Sequence, residues 1–315
     1  MSEDGTDAAN GMQQQEEVSD TPKYSLYIRA SLIDNETQGA CPMSQQGFML
    51  SYILAQQKNV DFKVWTVSQV NPPADFKEKN RAKIYPFCEG ISGKDIFGQS
   101  IEGYTPESTD DVEKFFDSVN SDCPLLKRPK NTKDHILGKV DSISTHFNAF
   151  MKGVNQESHL ARLKNILKKV DDHLAETKTT FLEAEDLSYT DCFLLPRLQH
   201  LIVAGKYFRD FEIPDSYKNL WRYLRDAYDT PAFSETLPLD ADLLKFHWER
   251  FSDKEMSEFR KNGIKGRFGV DPNLTKTCSI PPQIAAMLDN EVTNGGGEDE
   301  QMADDDAAEQ EQVQE

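Results

Sequence analysis

A strand, a helix and a second strand follow one another near the N-terminus, and this order is compatible with few folds. Residues 24–30 and 60–67 alternate between apolar and polar side chains, as strands with one buried face do. Between them, residues 42–57 have side chains at helical spacing in two sets, Phe48, Tyr52 and Ala55 and also Met49, Ile53 and Gln56, and the first set is expected to form one buried stripe. The pattern therefore predicts a β-α-β unit.

The second half of the chain has a different pattern. From about residue 135 to 250, apolar side chains recur every three or four positions in one segment after another, and no alternating segment interrupts them. The organisation expected from these patterns is a disordered acidic tail at 1–22, an α/β domain at 23–119, a linker at 120–133, an all-helical domain at 134–250 and an extension with a disordered acidic tail at 251–315.

The formal charge of −19 belongs mainly to the two ends of the chain. Residues 1–20 contain six acidic residues and residues 289–315 contain eleven, and neither segment has Lys or Arg. The remaining body has a charge of about −2 and no basic stripe, which argues against nucleic-acid binding. We expect the acidic ends to be solubilising segments rather than dedicated interaction motifs.

The cysteine and histidine positions argue against a disulfide framework and a metal site. The five cysteines are widely spaced and odd in number, and the six histidines have no metal-ligand spacing. The N-terminus has neither a secretory nor an Arg-rich transit pattern, and no window reaches the roughly 18 apolar residues of a conventional membrane span. We therefore expect a cytoplasmic protein with reduced thiols and no bound metal.

Cys41 directly precedes the predicted helix in the sequence Cys41-Pro42-Met43-Ser44. Proline suits the first helical position, where its missing N–H costs no hydrogen bond. The unpaired N–H groups and the dipole of the helix favour a thiolate at Cys41, which makes its sulfur a nucleophile. Because Ser44 replaces a second cysteine, a mixed disulfide with a small thiol such as glutathione is the expected intermediate. The alternative is a structural cysteine buried at a helix start.

Two further segments lie where a ligand of this thiol would need them. Tyr85-Pro86 opens a short apolar strand, where a thioredoxin-like fold places a cis-proline opposite its reactive cysteine. Ser108 and Thr109 open an amphipathic helix, where hydroxyls cap N–H groups and a bound carboxylate would meet the same N–H groups. Cys88 is either a resolving thiol or a packed strand cysteine, and we favour the second interpretation.

The helical half contains one strong local signal, in the sequence Leu187-Ser188-Tyr189-Thr190-Asp191. The Ser188 hydroxyl can accept from the N–H of Asp191, while the Asp191 carboxylate accepts from the N–H of Ser188. Such a reciprocal capping box starts a helix. We therefore assign the pair a structural role rather than a catalytic one.

Together these residues resemble the chloride intracellular channel family, the relatives of omega-class glutathione transferases. The resemblance rests on "ACPMSQQGFM" against that family's N-C-P-F-S-Q-x-x-F-M, on "YPF" against L-P-F, and on "FLEAEDLSYTDCFLLPRLQHL" against F-L-x-x-x-x-L-T-x-x-D-C-x-L-L-P-x-L-H. It covers about residues 24–235, and "TKTCSIPP" in the extension is similar to invertebrate members.

The resemblance implies a glutathione transferase fold, with an α/β thioredoxin-like N-terminal domain and an all-α C-terminal domain. It also implies glutathione as ligand or thiol donor, and Cys41 as the catalytic thiol. The glutathione-binding residues that it implies are Pro42, Ser44, Tyr85, Pro86, Ser108 and Thr109. The segment between Pro86 and Ser108 is longer than the usual turn of the family.

Three functions follow from the sequence and the resemblance. The first two, implied by the family, are membrane insertion as a chloride channel and glutaredoxin-like oxidoreductase activity; the residue chemistry favours the second. Insertion would add membrane lipids and an oligomer in the membrane as partners. The run at 47–55 is about half a bilayer long, so insertion would require the N-terminal domain to rearrange. The third is a transferase-like scaffold that recruits partners.

The expected location is the cytoplasm with reversible membrane association. The segment "GKYFR" matches the basic nuclear-localisation stretch of the family only partly, which argues against nuclear targeting.

Overall fold

A small mixed sheet forms the centre of the N-terminal part of the chain. The computed structural model describes residues 20–262 and 276–295. Strands β1 (Lys23–Arg29), β2 (Asp61–Val67) and β3 (Phe87–Ser92) lie in the order β2-β1-β3. Strand β1 runs parallel to β2 and antiparallel to β3, with Leu26 opposite Val64 on one side and opposite Cys88 on the other. The parallel pair confirms the predicted β-α-β unit.

Helices surround this sheet and make up all regular structure of the described chain after β3. In the N-terminal part these are α1 (Pro42–Gln56), α2 (Ala74–Lys79) and α3 (Thr109–Val119), and a 3₁₀ turn at Pro124–Leu126 follows. The helices beyond it are α4 (Ile136–Val140), α5 (Ile143–Met151), α6 (Gln156–Thr177), α7 (Tyr189–His200), α8 (Lys206–Arg209), α9 (Lys218–Tyr228), α10 (Pro231–Ser234), α11 (Asp240–Trp248), α12 (Asp253–Lys261) and α13 (Pro282–Gly295). The predicted combination of an α/β domain with an all-helical one is confirmed.

Helix α1 is buried more widely than its sequence pattern predicts. Phe48, Tyr52 and Ala55 are only partly buried, and they pack at the margin of the core. The buried side chains include Met49 and Ile53 of the second helically spaced set, together with Leu50 and Leu54. Helix α1 contacts both strands β1 and β2 on one side and α7 on the other. Because two layers cover it, its burial is not confined to one stripe.

One apolar core continues through both parts of the chain. Leu26 of β1, Leu50 of α1 and Leu195 of α7 belong to the same cluster of buried side chains. Helix α7 then leaves the α-helical geometry through a π-helical turn at Leu201–Gly205. The packing of α7 on α1 therefore brings side chains of the helical half next to the start of α1.

Residues 276–295 pack back onto the helical half. The N–H and hydroxyl of Thr277 donate to the two carboxylate oxygens of Asp240 at 3.0 and 2.6 Å, and the Gln199 amide donates to the Thr277 carbonyl at 2.9 Å. Ile284 and Leu288 of α13 are buried. The predicted disordered tails fall almost wholly at 1–19 and 296–315, outside the described residues.

None of the helices within residues 20–262 and 276–295 combines the length and apolar content needed to cross a bilayer.

Candidate functional site

A glycine holds the loop that carries Cys41 against the end of β1. The N–H of Gly39 donates to the Arg29 carbonyl at 2.8 Å, and the N–H of Cys41 donates to the Gly39 carbonyl at 3.0 Å. A Cβ on Gly39 would lie 2.3 Å from the carbonyl oxygen of Ala30, so this close approach requires glycine. The loop thereby fixes Cys41 between the end of β1 and the first turn of α1.

The first turn of α1 is left open. Cys41 is the N-cap residue, its side chain makes no capping hydrogen bond, and it is 9% exposed. Pro42 has no N–H, and the N–H groups of Met43 and Ser44 find no acceptor among the described residues. The first turn contains no acidic side chain. Two free donors and the positive end of the helix dipole therefore lie beside the Cys41 sulfur.

Tyr85 and Pro86 form a cis peptide bond that packs directly on α1. A Cβ on Gly47 would lie 2.7 Å from Cγ of Pro86, so the missing side chain allows this contact. The side chain of Asn80 holds the preceding residue in place, because it donates to the Ile84 carbonyl at 2.9 Å and accepts from the Ile84 N–H at 3.0 Å. Within the described chain the backbone of Tyr85 makes no hydrogen bond, so it is open to a ligand.

A narrow crevice lies between α1, the cis-proline and the start of α3. It has a volume of about 40 Å³, and its lining includes Met43, Tyr85, Pro86 and Thr109. The crevice thus brings together three of the residues that the sequence assigns to glutathione. Met43 is 41% exposed and also lines a second cavity.

The second cavity lies on the other side of Met43, against the helical half. Its volume is about 370 Å³, and its lining includes Pro42, Phe193, Arg197 and His200. Cys41, which immediately precedes Pro42, is buried and lines neither the crevice nor this larger cavity. Of the predicted glutathione contacts, Pro42 lines the larger cavity, Tyr85, Pro86 and Thr109 line the crevice, and Ser44 and Ser108 line neither.

Two of the predicted contacts already have partners within the protein. The Ser108 hydroxyl accepts from the Asp111 N–H at 3.2 Å and donates to the Asp111 carboxylate at 2.8 Å. Ser44 is buried, and its hydroxyl lies 3.4 Å from the Arg29 N–H, which donates to it. Thr109 is exposed and lines the crevice. Of the two residues at the start of α3, Thr109 is therefore the one whose side chain is available to a ligand.

Arg197 of α7 is a cation of the site that the sequence analysis missed. Its Nη1 donates to the Gln46 side chain at 3.1 Å and to the Phe193 carbonyl, while its buried Nε has no partner. No carboxylate of the described chain lies within ion-pair distance of it. Burial lowers the pKa of Arg197 to about 10, although the negative charge of Glu113 acts in the opposite direction. The cation therefore increases the positive potential at the Cys41 sulfur.

Tyr189 connects the start of α7 to α3. Its hydroxyl donates to the Glu113 carboxylate at 3.1 Å, and the same carboxylate forms an ion pair with Arg128. Burial, together with the Glu113 charge, raises the pKa of the Tyr189 hydroxyl. Both Tyr189 and Glu113 line the crevice. This contact therefore helps to set the width of the crevice.

A histidine pair closes the inner end of the larger cavity. Nδ1 of His200, the last residue of α7, lies 2.8 Å from Nε2 of His247 in α11. Both rings are buried, and burial lowers the pKa of His247 to about 3 and that of His200 far below its usual range. The two rings are therefore neutral at physiological pH, and one hydrogen bond between ring nitrogens joins them.

Ser188 and Asp191 lie at the N-terminus of α7, and neither lines the crevice, although Tyr189 between them does. The Ser188 N–H donates to the Asp191 carboxylate at 2.8 Å, and the Asp191 N–H donates to the Ser188 hydroxyl at 3.3 Å. The other carboxylate oxygen accepts from the Leu182 N–H at 3.1 Å. Burial raises the pKa of Asp191 to about 6. The pair satisfies the donors at the start of α7 and has no place in the site.

Cys88 lies within the apolar core rather than in the crevice. It is 0% exposed in β3, and burial raises the pKa of its thiol. This placement matches the packed strand cysteine that the sequence analysis favours. Among residues 20–262 and 276–295 there is no group of three or more His, Cys, Asp or Glu side chains arranged to hold a metal ion.

Two comparisons of the sequence relate this chain to known proteins. The family model of the glutathione S-transferase C-terminal domain matches residues 147–226. The chloride intracellular channel Clic of Drosophila melanogaster is 33% identical over 228 residues, which cover 72% of this chain and 82% of that relative.

Solved structures share the fold. The CLIC homologue EXC-4 from C. elegans superimposes with a TM-score of 0.68 at 23% identity, covering 87% of this chain and 98% of that one. The dehydroascorbate reductase of Chlamydomonas reinhardtii gives a TM-score of 0.58 at 20% identity and covers 72% and 97% of the two chains. Both matches extend over the α/β and the helical parts together.

Proposed function

The chain belongs to the chloride intracellular channel family, and we propose that within it the protein is a glutathione-dependent thiol oxidoreductase with Cys41 as the nucleophile. One arrangement carries the proposal. The thiol lies at the open first turn of α1, and α1 packs directly on a cis-proline whose neighbour Tyr85 has an unused backbone. A peptide-like thiol can pair with that backbone while its sulfur meets Cys41.

Glutathione presents groups that match the polar atoms around the crevice, although a crevice of about 40 Å³ is too small to enclose the whole tripeptide. The Tyr85 N–H and carbonyl supply a short antiparallel pairing for its central residue. The exposed Thr109 at the N-terminus of α3 receives its γ-glutamyl end, where the helix dipole favours the carboxylate and the acidic side chains of Asp110 and Asp111 favour the ammonium group. Ser108 supports this end as the cap of α3, since its hydroxyl is already bonded to Asp111.

The reaction that this arrangement supports is thiol-disulfide exchange. The Cys41 thiolate attacks the glutathione sulfur of a mixed disulfide, a Cys41–glutathione bond forms, and the substrate sulfur leaves as a thiolate that takes up a proton. A second glutathione thiolate then attacks the Cys41–glutathione bond. Oxidised glutathione leaves and Cys41 is regenerated. The positive potential from the α1 dipole and Arg197 stabilises the sulfur anions in both steps.

A coupled disulfide-reduction assay with glutathione tests this proposal. We expect Cys41→Ser to lose the activity, and Cys278→Ser, which removes an exposed free thiol, to keep it. Mass spectrometry after treatment with oxidised glutathione should show the adduct on Cys41. Equal rates for the wild type and Cys41→Ser would overturn the proposal and leave a scaffold that recruits partners as the better description.

Membrane insertion as a chloride channel is a second candidate, favoured by the Drosophila relative, which is named a chloride intracellular channel. Residues 47–55 would have to leave the core, where Met49, Leu50, Ile53 and Leu54 are buried, and membrane lipids and further copies of the chain would have to cover them. A chloride-efflux assay on anionic liposomes between pH 5 and 7 tests this second candidate function. No efflux across that range, with all protein in the supernatant, would rule it out.

A further inference from the structure

A basic groove lies beside Tyr85, between the end of β1 and helix α2. Its volume is about 590 Å³, and the cations that line it are Arg29, Lys77, Arg81 and Lys83. The remaining lining residues are polar or apolar, and none is acidic. The groove thus concentrates four positive charges in a chain whose formal charge is −19. We call these residues the basic groove.

None of the four cations has a carboxylate partner among the described residues. Lys58 and Lys63 of the same domain share this property but do not line the groove, whereas four other lysines form ion pairs: Lys23 with Asp61, Lys79 with Glu89, Lys94 with Asp20 and Lys114 with Asp111. Throughout residues 20–262 and 276–295, no such pair involves a cation of the basic groove. Like charges gathered around a concave surface repel one another, and a bound anion relieves that repulsion.

The walls of the groove are fixed by hydrogen bonds. The buried Asn80 ties the loop that carries Arg81 and Lys83, through two bonds to the Ile84 backbone. Lys83 has a φ of +56°, a conformation that favours glycine, so the chain keeps a lysine side chain there against the preference of its backbone. These contacts fix the backbone of the loop from which the exposed side chains of both cations project.

Arg29 forms the opposite wall. Its Nη1 donates to the Gln69 side chain at 3.0 Å, and its guanidinium lies 5.0 Å from the centre of the Tyr85 ring. Its buried Nε has no hydrogen-bond partner. Neutral neighbours therefore orient the guanidinium, and its positive charge is available to a ligand.

We propose that the basic groove binds a ligand that carries two or more phosphate groups. A volume of this size accepts a small molecule rather than a single ion. Each phosphate monoester carries about −1.5 to −2 charges at neutral pH, so two of them balance four cations. Guanidinium groups present parallel N–H donors that match phosphate oxygens. The ligand chemistry is that of an inositol polyphosphate, free in solution or as a lipid headgroup.

Calorimetric titration of the full chain with inositol trisphosphate tests the site directly. Lys77→Gln combined with Arg81→Gln removes two exposed charges of the groove, and we expect roughly tenfold or more weaker binding. The matched control is Lys152→Gln combined with Lys169→Gln, which removes the same charge from exposed positions of the helical domain and should change the affinity less than about twofold. Thermal unfolding of each variant shows whether it is folded.

Vesicle sedimentation separates the two sources of the ligand. Vesicles of phosphatidylcholine with phosphatidylinositol bisphosphate are compared with vesicles in which phosphatidylserine supplies the same total charge. Binding of both the free ligand and the bisphosphate vesicles supports the proposal. Binding of the bisphosphate vesicles alone supports it with the headgroup as the source, provided that the groove variant abolishes it.

Three results would overturn the proposal: no binding of either probe, equal losses in the groove and control variants, or equal sedimentation with phosphatidylserine vesicles. Cys41→Ser should bind inositol trisphosphate as the wild type does, because the groove does not use the thiol. A failure of the oxidoreductase proposal therefore leaves this test intact.

Discussion

Two helices begin at buried positions in this molecule, and their first turns are built in opposite ways. Helix α7 begins after Ser188, which with Asp191 forms a complete capping box. Helix α1 begins after Cys41, whose side chain caps nothing. Both N-cap residues have extended backbones, with ψ angles of 174° and 114°, so the difference lies in their side chains and not in their conformation.

The comparison shows where the protein keeps unused hydrogen-bonding capacity. At α7 the capping groups satisfy the backbone donors and lock the helix that carries Arg197 and His200. At α1 the N–H groups of Met43 and Ser44 stay free beside a thiol. Free donors at a helix start lower the stability of the protein, and a bound anion or thiolate recovers that loss. The capped start of α7 therefore stabilises the fold, and the uncapped start of α1 is suited to thiol chemistry.

Cys41→Ser makes the start of α1 resemble that of α7. A serine hydroxyl is a better cap than a thiol, so we expect the free energy of unfolding to rise by about 1 kcal/mol. Loss of the nucleophile should lower the rate of disulfide reduction roughly 10³-fold, or about 4 kcal/mol of activation energy. Urea unfolding and the coupled assay measure the two effects. A variant that is less stable than the wild type would contradict the idea that α1 begins with unsatisfied donors.

Asp191→Ala opens the start of α7. It leaves the buried N–H groups of Ser188 and Leu182 without an acceptor, and we expect a loss of about 3 kcal/mol in the free energy of unfolding. Asp191→Asn keeps one oxygen acceptor and should lose less. Well below the unfolding transition, disulfide reduction by both variants should stay near the wild-type rate. A large loss of rate in folded Asp191→Asn would show that the α7 cap acts on the thiol as well.

The histidine pair at the C-terminal end of α7 makes the stability of the fold dependent on pH. His200 and His247 are held neutral in the fold, whereas in the unfolded chain each takes up a proton below its ordinary pKa of about 6.5. The contribution of each histidine to the free energy of unfolding is therefore present above this pH and is lost as the pH falls. The loss is about 2 kcal/mol for each histidine between pH 7 and 5. Asp191 acts in the opposite direction, because its raised pKa of about 6 favours its protonated form in the fold.

His247→Gln isolates the histidine contribution. The stability difference between the wild type and this variant should shrink by about 2 kcal/mol from pH 7 to pH 5, since the variant has one fewer histidine to protonate on unfolding. Urea unfolding at both pH values provides the measurement. Parallel pH curves for the two proteins would mean that His247 takes up its proton in the fold at the same pH as in the unfolded chain, and would contradict its burial as a neutral ring.

Tyr189→Phe gives the smallest effect, and it tests whether a contact at the start of α7 affects the crevice beside the start of α1. It removes only the hydrogen bond to Glu113, and we expect a loss of about 1 kcal/mol in stability. Because this bond joins the first turn of α7 to α3 across the crevice, the KM for glutathione should rise while kcat stays near the wild-type value. An unchanged KM would mean that the contact has no effect on the crevice.

Local patterns were sufficient to predict much of this molecule. The alternation in β1 and β2 and the helical spacing of α1 depend on neighbouring residues, and Pro42 marks the first helical position by its own chemistry. The depth of burial along α1 did not follow from its sequence. Phe48, Tyr52 and Ala55 were predicted to form the buried stripe, but the packing of α7 on α1 buries other positions more deeply.

The cationic side of the site could not be predicted for the same reason. Gln46 and Arg197 are 151 positions apart in the chain, and only the docking of α7 on α1 brings them within hydrogen-bonding distance. The capping box at Ser188 and Asp191 predicts the start of the helix that carries Arg197, but nothing local distinguishes a buried arginine near the thiol from one that faces solvent. The return of Thr277 to Asp240 is equally remote from any local pattern.

Gly47 sets how close the thiol-bearing helix and the cis-proline can come. A single methyl group there would lie 2.7 Å from Pro86, and the proline loop would have to move away from α1. For directed evolution of new thiol substrates, the walls of the crevice at Met43 and Thr109 are open to variation, because both side chains are exposed. Position 47 must stay fixed in every such library. Gly47, which has no side chain, is thus the residue of the site that tolerates substitution least.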